Sequence, residues 1–443
     1  GGRTGGAGGS AYGPICLDEQ ANARAIVSAA MGPFGCTLWG MTTLPAASAS
    51  PSFWRDSHPS AVLAGLITML IGWAGPNVLI YSVAQAAHLS DGQAMSWLWA
   101  HALLAGLTGI ILSLRTRMPI LVTWSTPGIA LLVTALPGIP FPEAVGAFLT
   151  SGLLVLGLGL FPPLTRALQS IPAPLAAALN AAILLPFGFR ALQAFGTAPT
   201  LVGVMIVAYF ALRLVAPRWA VAGVLLTGVV ASGVLNLWHP QPVALALTRP
   251  EFVLPQFSLH ATLNLALPLT LLAFTGQFVP GFGVLKTSGY EPAPGPILRA
   301  CGIASSAAAF AGCHNLTLGA LLANIVTGPE AHPDARKRYT AAVWAGVFNM
   351  IVALFAGTVL HLLGILPTQA IAALAGLALL AAMGSSLQAA FQGAQAGSLA
   401  APVVLLVALS GIAPLGIGAP FWGILAGLIV YAIERRPLRP AAR

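Results

Sequence analysis

In a chain this apolar, polar side chains inside hydrophobic runs are rare enough to be read one at a time. The densest set lies in Phe310–Ile325, FAGCHNLTLGALLANI, where Gly312, His314, Asn315 and Thr317 interrupt long apolar flanks. A second interruption lies at Pro119–Val133, PILVTWSTPGIALLV. In both, a short extended-looking piece runs into a threonine and an apolar helix follows. Thr126 before Pro127 reads as a helix start, with a hydroxyl at the N-cap and a proline at the first helical position, where no amide is missed. Asn315 or Thr317 is expected to cap the second helix in the same way. Each apolar run after its cap is too short to cross about 30 Å of hydrocarbon at about 1.5 Å per residue. Two half-helices with free N–H ends at mid-membrane form an anion site. The candidate donors are Ser125, Thr126 and Gly128 at one start, and Asn315, Thr317 and Gly319 at the other.

Each helix end contributes about 0.3–2 kcal/mol toward an anion, whereas taking a carboxylate out of water costs several kcal/mol. Side-chain hydrogen bonds or a positive charge must therefore supplement the helix ends. Gln277 and His314 are the obvious supplements. Gln277 lies in TGQFVPGFGVLKTSGY, where Pro280 and Gly281 loosen the helix and let its backbone face a cavity. Its amide can equally tie two helices together. The matching break in the first half is GWAGPN, which brings Gly75 and Asn77 into the candidate site. His314 can be neutral or cationic near physiological pH. Its place just before a helix start favours binding or proton coupling over a bond to a neighbouring carbonyl. His101, on an ordinary helix, is expected to be structural. Trp97, Trp99 and Trp422 read as membrane-interface anchors.

The elements that hold these residues must lie in a membrane. The chain is 57% hydrophobic and 7% charged, with mean hydropathy +0.88, so it reads as a polytopic membrane protein. Its net charge of +9 does not indicate nucleic acid. Of the 19 Lys and Arg, only Arg190 and Arg249 fall outside the tails and one set of alternate loops. That is the positive-inside pattern, and it places both termini in the cytoplasm. All ten acids, from Asp18 to Glu434, lie in tails, loops or span ends. The centre therefore offers donors to an anion and no carboxylate to a cation. No metal cluster, cofactor motif or nucleophile–base pair is visible, so neither a metal, a cofactor nor an enzyme is expected. Cys301 and Cys313 sit in apolar spans and read as small packing residues.

Fourteen apolar segments are expected, all-α apart from the two extended pieces. They are 61–83, 94–113, 119–136, 143–162, 173–188, 197–215 and 218–237, then 261–284, 295–310, 311–327, 339–362, 367–387, 399–410 and 416–433. The broken segments occupy third place in each seven, and IPAPLAAALNAAILL from Ile171 faintly matches LPTQAIAALAGLALL from Leu366. An odd number of spans per repeat inverts the second copy, so the half-helices approach the midplane from opposite sides. Residues 1–56 read as a disordered, glycine-rich tail with Met41 a plausible native start, and 437–443 as a cytoplasmic tail.

At these residues the chain resembles the benzoate:proton symporter family, BenE. The likeness rests on VTWSTPGIALLVTAL, on Gln277–Gly281 followed by Lys286 and Gly289–Tyr290, on GCHNLTLGALLANI and on PEAHPD at Pro329–Asp334, and it covers about residues 57–436. It implies the fold of nucleobase and sulfate carriers: two inverted sevens divided into a core (about 61–162 and 261–362) and a gate (about 171–237 and 366–433), often dimeric, which admits a homodimer. The substrate would sit between spans three and ten. Nucleobase carriers of that fold use acidic residues where this chain has Gln277 and Ala320, which suits a carboxylate ligand better than a nucleobase. A nucleobase or another small anion remains the alternative cargo. The expected partners are an aromatic carboxylate, a proton carried on His314, and the lipid of a bacterial inner membrane. Walls such as Trp124, Phe278 and Phe310 would bury the ring at about 25 cal/mol per Å².

Overall fold

The computed structural model describes residues 52–435 except 75, 170, 239–246, 321 and 393–397. The expected N-terminal tail up to 51, the C-terminal tail and Gly75 lie outside the described residues, and only the backbone of Asn77 is described.

In the first half the elements run α1 (Phe53–Asp56), α2 (Pro59–Ala74), α3 (Pro76–Ala86), α4 (Asp91–Thr116), β1 (Val122–Trp124), α5 (Thr126–Ala135), α6 (Phe141–Leu160), α7 (Pro162–Gln169), α8 (Ala173–Thr197), α9 (Pro199–Val215) and α10 (Ala220–Val234). The second half runs α11 (Leu259–Thr287), α12 (Pro294–Ala309), β2 (Leu316–Leu318), α13 (Ala323–Thr327), α14 (Tyr339–Ala353), α15 (Ala356–Gly364), α16 (Thr368–Phe391), α17 (Ala400–Leu409) and α18 (Ala419–Glu434). Among the described residues seven helices are long and apolar enough to cross a bilayer, and α14 with α15 forms a pair bent by 73°. This is a multi-pass membrane protein.

Local signals set many of these boundaries. Ser90 and Gln93 form a reciprocal capping box at the start of α4. At the other end of α4, Arg117 adopts the left-handed conformation (φ 57°) and turns the chain toward β1. The helix expected to stop at 188 continues through Pro186 to Thr197. Its extra turns pack on α16, where Gly376 lies so close that a Cβ would stand 2.6 Å from both Ala191 and the Phe187 carbonyl. Inside the expected tail, α1 carries Asp56, which accepts from the Tyr339 hydroxyl at 2.8 Å and pairs with Arg117 and Lys337 at 3.6 Å.

Helix α11 contains two π-turns, Thr262–Ala266 and Phe274–Phe278. Each lies four residues ahead of a proline: Pro268 stands over Asn264, and Pro280 over Gly276. A proline ring clashes with the carbonyl four residues back and donates nothing to it, and a widened turn relieves both problems. The sequence predicts loosening at Pro280–Gly281; the structure puts it one turn earlier, on Gln277 itself.

The most extensive packing falls in two groups. One joins α2, α4, α6, α12 and α14 around the strands; the other joins α8, α9, α10, α16, α17 and α18. Small residues let the backbones close in, as membrane helix interfaces require. A Cβ on Gly106 would lie 2.6 Å from the Gly346 carbonyl oxygen, and one on Gly346 2.7 Å from that of Gly106.

Candidate functional site

The two interruptions meet. β1 and β2 pair antiparallel with Val122 opposite Leu318, Thr123 opposite Thr317 and Trp124 opposite Leu316. The ladder runs one bond further at each end, Ser125 N–H to the Asn315 carbonyl (3.1 Å) and Gly319 N–H to the Leu121 carbonyl (2.9 Å). Because the strands are antiparallel, α5 leaves at one end of the ladder and the α13 segment at the other. Three paired residues at about 3.4 Å each separate the two departures by about 10 Å.

The caps differ from expectation. Ser125, not Thr126, is the N-cap: its backbone is extended and its hydroxyl accepts from Gly128 N–H at 3.2 Å. Thr126 is already helical, and Pro127 occupies the second helical position. The ladder bond at Ser125 decides this, because it holds that residue extended while Thr126 turns. Of the first-turn donors, Gly128 is taken by Ser125 Oγ and Ile129 by the Ser125 carbonyl. Pro127 has none, so the Thr126 amide remains for a ligand.

Neither Asn315 nor Thr317 caps the second helix. Thr317 is the middle residue of β2, and α13 begins only at Ala323, after Leu322, with no side-chain cap. The first helical bonds there go to the Gly319 carbonyl from Leu322 (3.2 Å) and Ala323 (2.9 Å). Asn315 instead closes an internal network: its Oδ1 accepts from Ser151 Oγ at 2.9 Å, and Ser151 meets Thr270 Oγ1 at 2.7 Å. The Asn315 Nδ2 and Thr317 Oγ1 atoms are buried without partners.

Two cavities flank the start of α5. The larger, about 470 Å³, lies between Thr126, Pro127, Phe274–Gln277, Pro280 and Ala320 on one side and Asn180, Ser385 and Ser386 on the other. The smaller, about 240 Å³, joins Thr123, Trp124, Thr126, Gln277 and Gly319 to Tyr209, Arg213 and Arg218. Thr126 and Gln277 line both. No carboxylate lines either one, whereas two guanidinium groups line the smaller. Gln277 is 3% exposed. Both cavities are lined mostly by apolar groups with a few convergent donors, as small-molecule sites are.

Of the candidates, Thr126, Gln277 and Gly319 therefore converge on cavity walls. Ser125 and Gly128 lie just behind, and Gly128 is held close to Leu269, 3.0 Å from where its Cβ would be. His314, Asn315 and Thr317 are wholly buried and line neither cavity. The His314 Nε2 lies 3.1 Å from the Ser125 carbonyl, so that nitrogen donates and the imidazole braces the N-cap residue of α5; its Nδ1 has no partner. Trp97, read from sequence as an interface anchor, is fully buried against His314 and Phe148, at ring distances of 5.6 and 5.7 Å. Of the suggested ring walls Trp124 faces the smaller cavity, while Phe278 and Phe310 line neither; Phe274 lines the larger.

Several lining residues escaped the sequence reading. Asn180, whose Nδ2 donates to Ser386 Oγ at 2.8 Å, is a lone amide in the apolar stretch from Leu175 to Leu185, and that isolation was the available signal. Arg213 and Arg218, which in sequence read only as part of the positive-inside pattern, line the smaller cavity. The PEAHPD stretch clamps a loop away from the site: Tyr290 donates to the Ala335 carbonyl (2.8 Å), and Arg338 to the carbonyls of His332 (2.9 Å) and Thr327 (2.8 Å). Burial raises the Tyr290 phenol above its ordinary value, so it stays a donor.

A crossed pair of short strands among two packed helical groups is a fold that this chain shares with solved membrane proteins. The overall structure of SLC26A9 matches 95% of this chain and 70% of its own, with TM-score 0.60 at 16% identity. The transmembrane domain of the cyanobacterial bicarbonate transporter BicA matches 84% of this chain and 96% of its own, with TM-score 0.56 at 14% identity. Residues 55–433 match the BenE family, described as benzoate membrane transport protein, and the chain belongs to that family. The benzoate membrane transport protein of Acinetobacter baylyi is 39% identical over 383 residues, covering 86% of this chain and 97% of that protein. The inner membrane protein YdcO of Escherichia coli is 36% identical over 375 residues, covering 85% and 96%.

Proposed function

We propose that this chain carries benzoate or a related aromatic carboxylate inward together with a proton. The observation that carries the reading is that Thr126, at the open start of a ten-residue half-helix, and Gln277, on a π-turn, line both central cavities. The carboxylate takes the Thr126 amide and hydroxyl and the Gln277 amide, while the ring packs among Phe274, Trp124 and the alanine-rich faces of α8 and α16. Arg213 and Arg218 supply the positive potential that a half-helix alone lacks.

In this reading the chain crosses the inner membrane fourteen times as two inverted sevens, with both termini cytoplasmic. The strand-bearing group is the core, and the group of α8–α10 and α16–α18 is the gate that moves against it. Both cavities then reach toward the cytoplasmic ends of α8, α9 and α16, an inward-facing arrangement. A proton accompanies the anion because moving one negative charge into a negative interior costs about 2.3 kcal/mol per 100 mV. His314 holds that proton, where protonation acts directly on the N-cap of α5.

Radiolabelled benzoate uptake into proteoliposomes, with and without an inward proton gradient, tests the function. Gradient-stimulated uptake competed by other aromatic acids is expected; saturable uptake of a nucleobase with none of benzoate would replace the reading. For the proton, the pH dependence of uptake should flatten in His314→Gln, and an unchanged profile counts against that assignment.

A further inference from the structure

His101 was set aside in sequence as a structural residue, yet it is the second buried imidazole at this site. It is 3% exposed on α4, stacks on Trp124 at a ring distance of 3.7 Å, and its Nδ1 is buried without a hydrogen-bond partner. Trp97, one turn earlier on the same helix, touches His314, so one face of α4 serves both imidazoles. His101 is also part of the wall of a small cavity of about 20 Å³, with Thr68, Trp73, Thr123 and Asn349. A space of roughly 10–15 Å³ on this measure accommodates one water, given two to four polar partners. This one is lined by four residues with polar side chains, His101, Thr68, Thr123 and Asn349. The Thr68 hydroxyl donates to the Ala64 carbonyl at 2.7 Å, which leaves its lone pairs to accept. Gly72, Thr123 and Leu322 form walls of both this cavity and the 240 Å³ cavity, so the two adjoin.

We propose that the small cavity holds one ordered water linking His101 to the substrate cavity, making His101 a proton-holding group of the transport cycle. The inference rests on the proton-coupled carrier reading above. A proton arriving from the substrate cavity passes to the water, which gives up a proton of its own to the His101 imidazole; the reverse transfer returns it, with no net change in the water. His314 lines none of these cavities, so water reaches the imidazole pair through His101, and the proton assigned above to His314 enters by that side. Among the described residues the ionisable group that acts on His101 electrostatically is His314; the other faces around it present Trp124, Thr68, Met69, Trp73 and Asn349. Two imidazolium charges within reach in an apolar core repel, so the pair holds at most one proton at a time.

The test separates exchange from coupled transport in proteoliposomes of the full chain, with radiolabelled benzoate as probe. Counterflow of internal against external benzoate needs no net proton movement, whereas accumulation driven by a pH gradient does. His101→Gln is expected to keep counterflow within about twofold of the parent and to lose at least tenfold in gradient-driven accumulation. Counterflow and accumulation both unchanged would overturn the proposal while leaving the carrier reading intact. Absence of any benzoate counterflow in the parent protein would sink the carrier reading instead. If His101→Gln loses counterflow as well, Thr68→Val decides, since it keeps the side-chain shape and removes one partner of the water. A severalfold drop in gradient-driven accumulation at normal counterflow supports the proposal, and unchanged accumulation overturns it.

Discussion

The two strand–helix segments share a Thr-x-Gly step before an apolar run, Thr126–Gly128 and Thr317–Gly319, and end as different devices. After β1 the chain turns at once: Ser125 caps, Pro127 fixes the first turn, and ten helical residues follow with Thr126 on the cavity. After β2 it turns late, without a cap, into a five-residue helix whose Val326 packs among Ala61, Ala64, Ala341 and Ala345. The first segment thus presents a helix dipole and an unclaimed amide. The second presents Gly319 and Ala320 as wall, while His314 turns to the Ser125 carbonyl, Asn315 to Ser151, and the Thr317 hydroxyl is buried without a partner among the described residues. Pseudo-symmetric breaks need not yield a pseudo-symmetric site. One half can bind while the other holds the binder in place.

The largest effect should come from prising the holding half away. A Cβ on Gly281 would stand 2.6 Å from that of Leu318, so Gly281→Val forces α11 off β2. Overpacking of this kind costs about 1–3 kcal/mol, and more where two backbones meet. Gly281→Val should lower the unfolding temperature in detergent by several degrees and abolish benzoate uptake. A variant with parental stability would mean that the two segments are not rigidly coupled through α11.

Next come the residues assigned to binding. Hydrogen bonds to a charged group are worth about 1.5–3 kcal/mol, so Thr126→Val or Gln277→Ala should raise the KM for benzoate about tenfold to a hundredfold with little change in thermal stability. An unaltered KM in both would move the site away from the start of α5. Smaller still is Ser125→Ala, which removes the cap and should cost about 1 kcal/mol of stability. It should also weaken binding severalfold, because Gly128 N–H is released and Thr126 shifts. Scanning fluorimetry and equilibrium benzoate binding on the same preparation read the two effects separately.

Much of this was legible in the residues because apolar runs, prolines and isolated polar groups are local signals. The breaks at Thr126 and around Thr317, and the loosened helix around Gln277, follow from hydrocarbon thickness and from proline chemistry. What was not legible depends on distant partners. Ser125 and Thr126 are equivalent as caps until the bond from Ser125 N–H to Asn315 holds one of them extended. Thr317 looks like a cap until pairing with Thr123, 194 positions earlier in the chain, makes it a strand residue. Trp97 reads as an anchor at the membrane surface until His314 is found against its ring.

The smallest expected effect is the sharpest test of the asymmetry. Thr317 Oγ1 is buried with no partner, and an unsatisfied buried hydroxyl costs about 1–3 kcal/mol relative to a satisfied one. Valine has nearly the same shape and nothing to satisfy, and it suits a strand as well as threonine does. Thr317→Val should therefore be neutral or slightly stabilising, with benzoate KM unchanged, whereas Thr126→Val, the same chemical edit at the corresponding place in the first segment, should impair binding. Measured side by side, the pair decides whether one helix start or two face the substrate. Comparable losses of affinity in both would restore the symmetric site that the sequence alone suggests, because a buried hydroxyl can matter to an anion only if the anion reaches it.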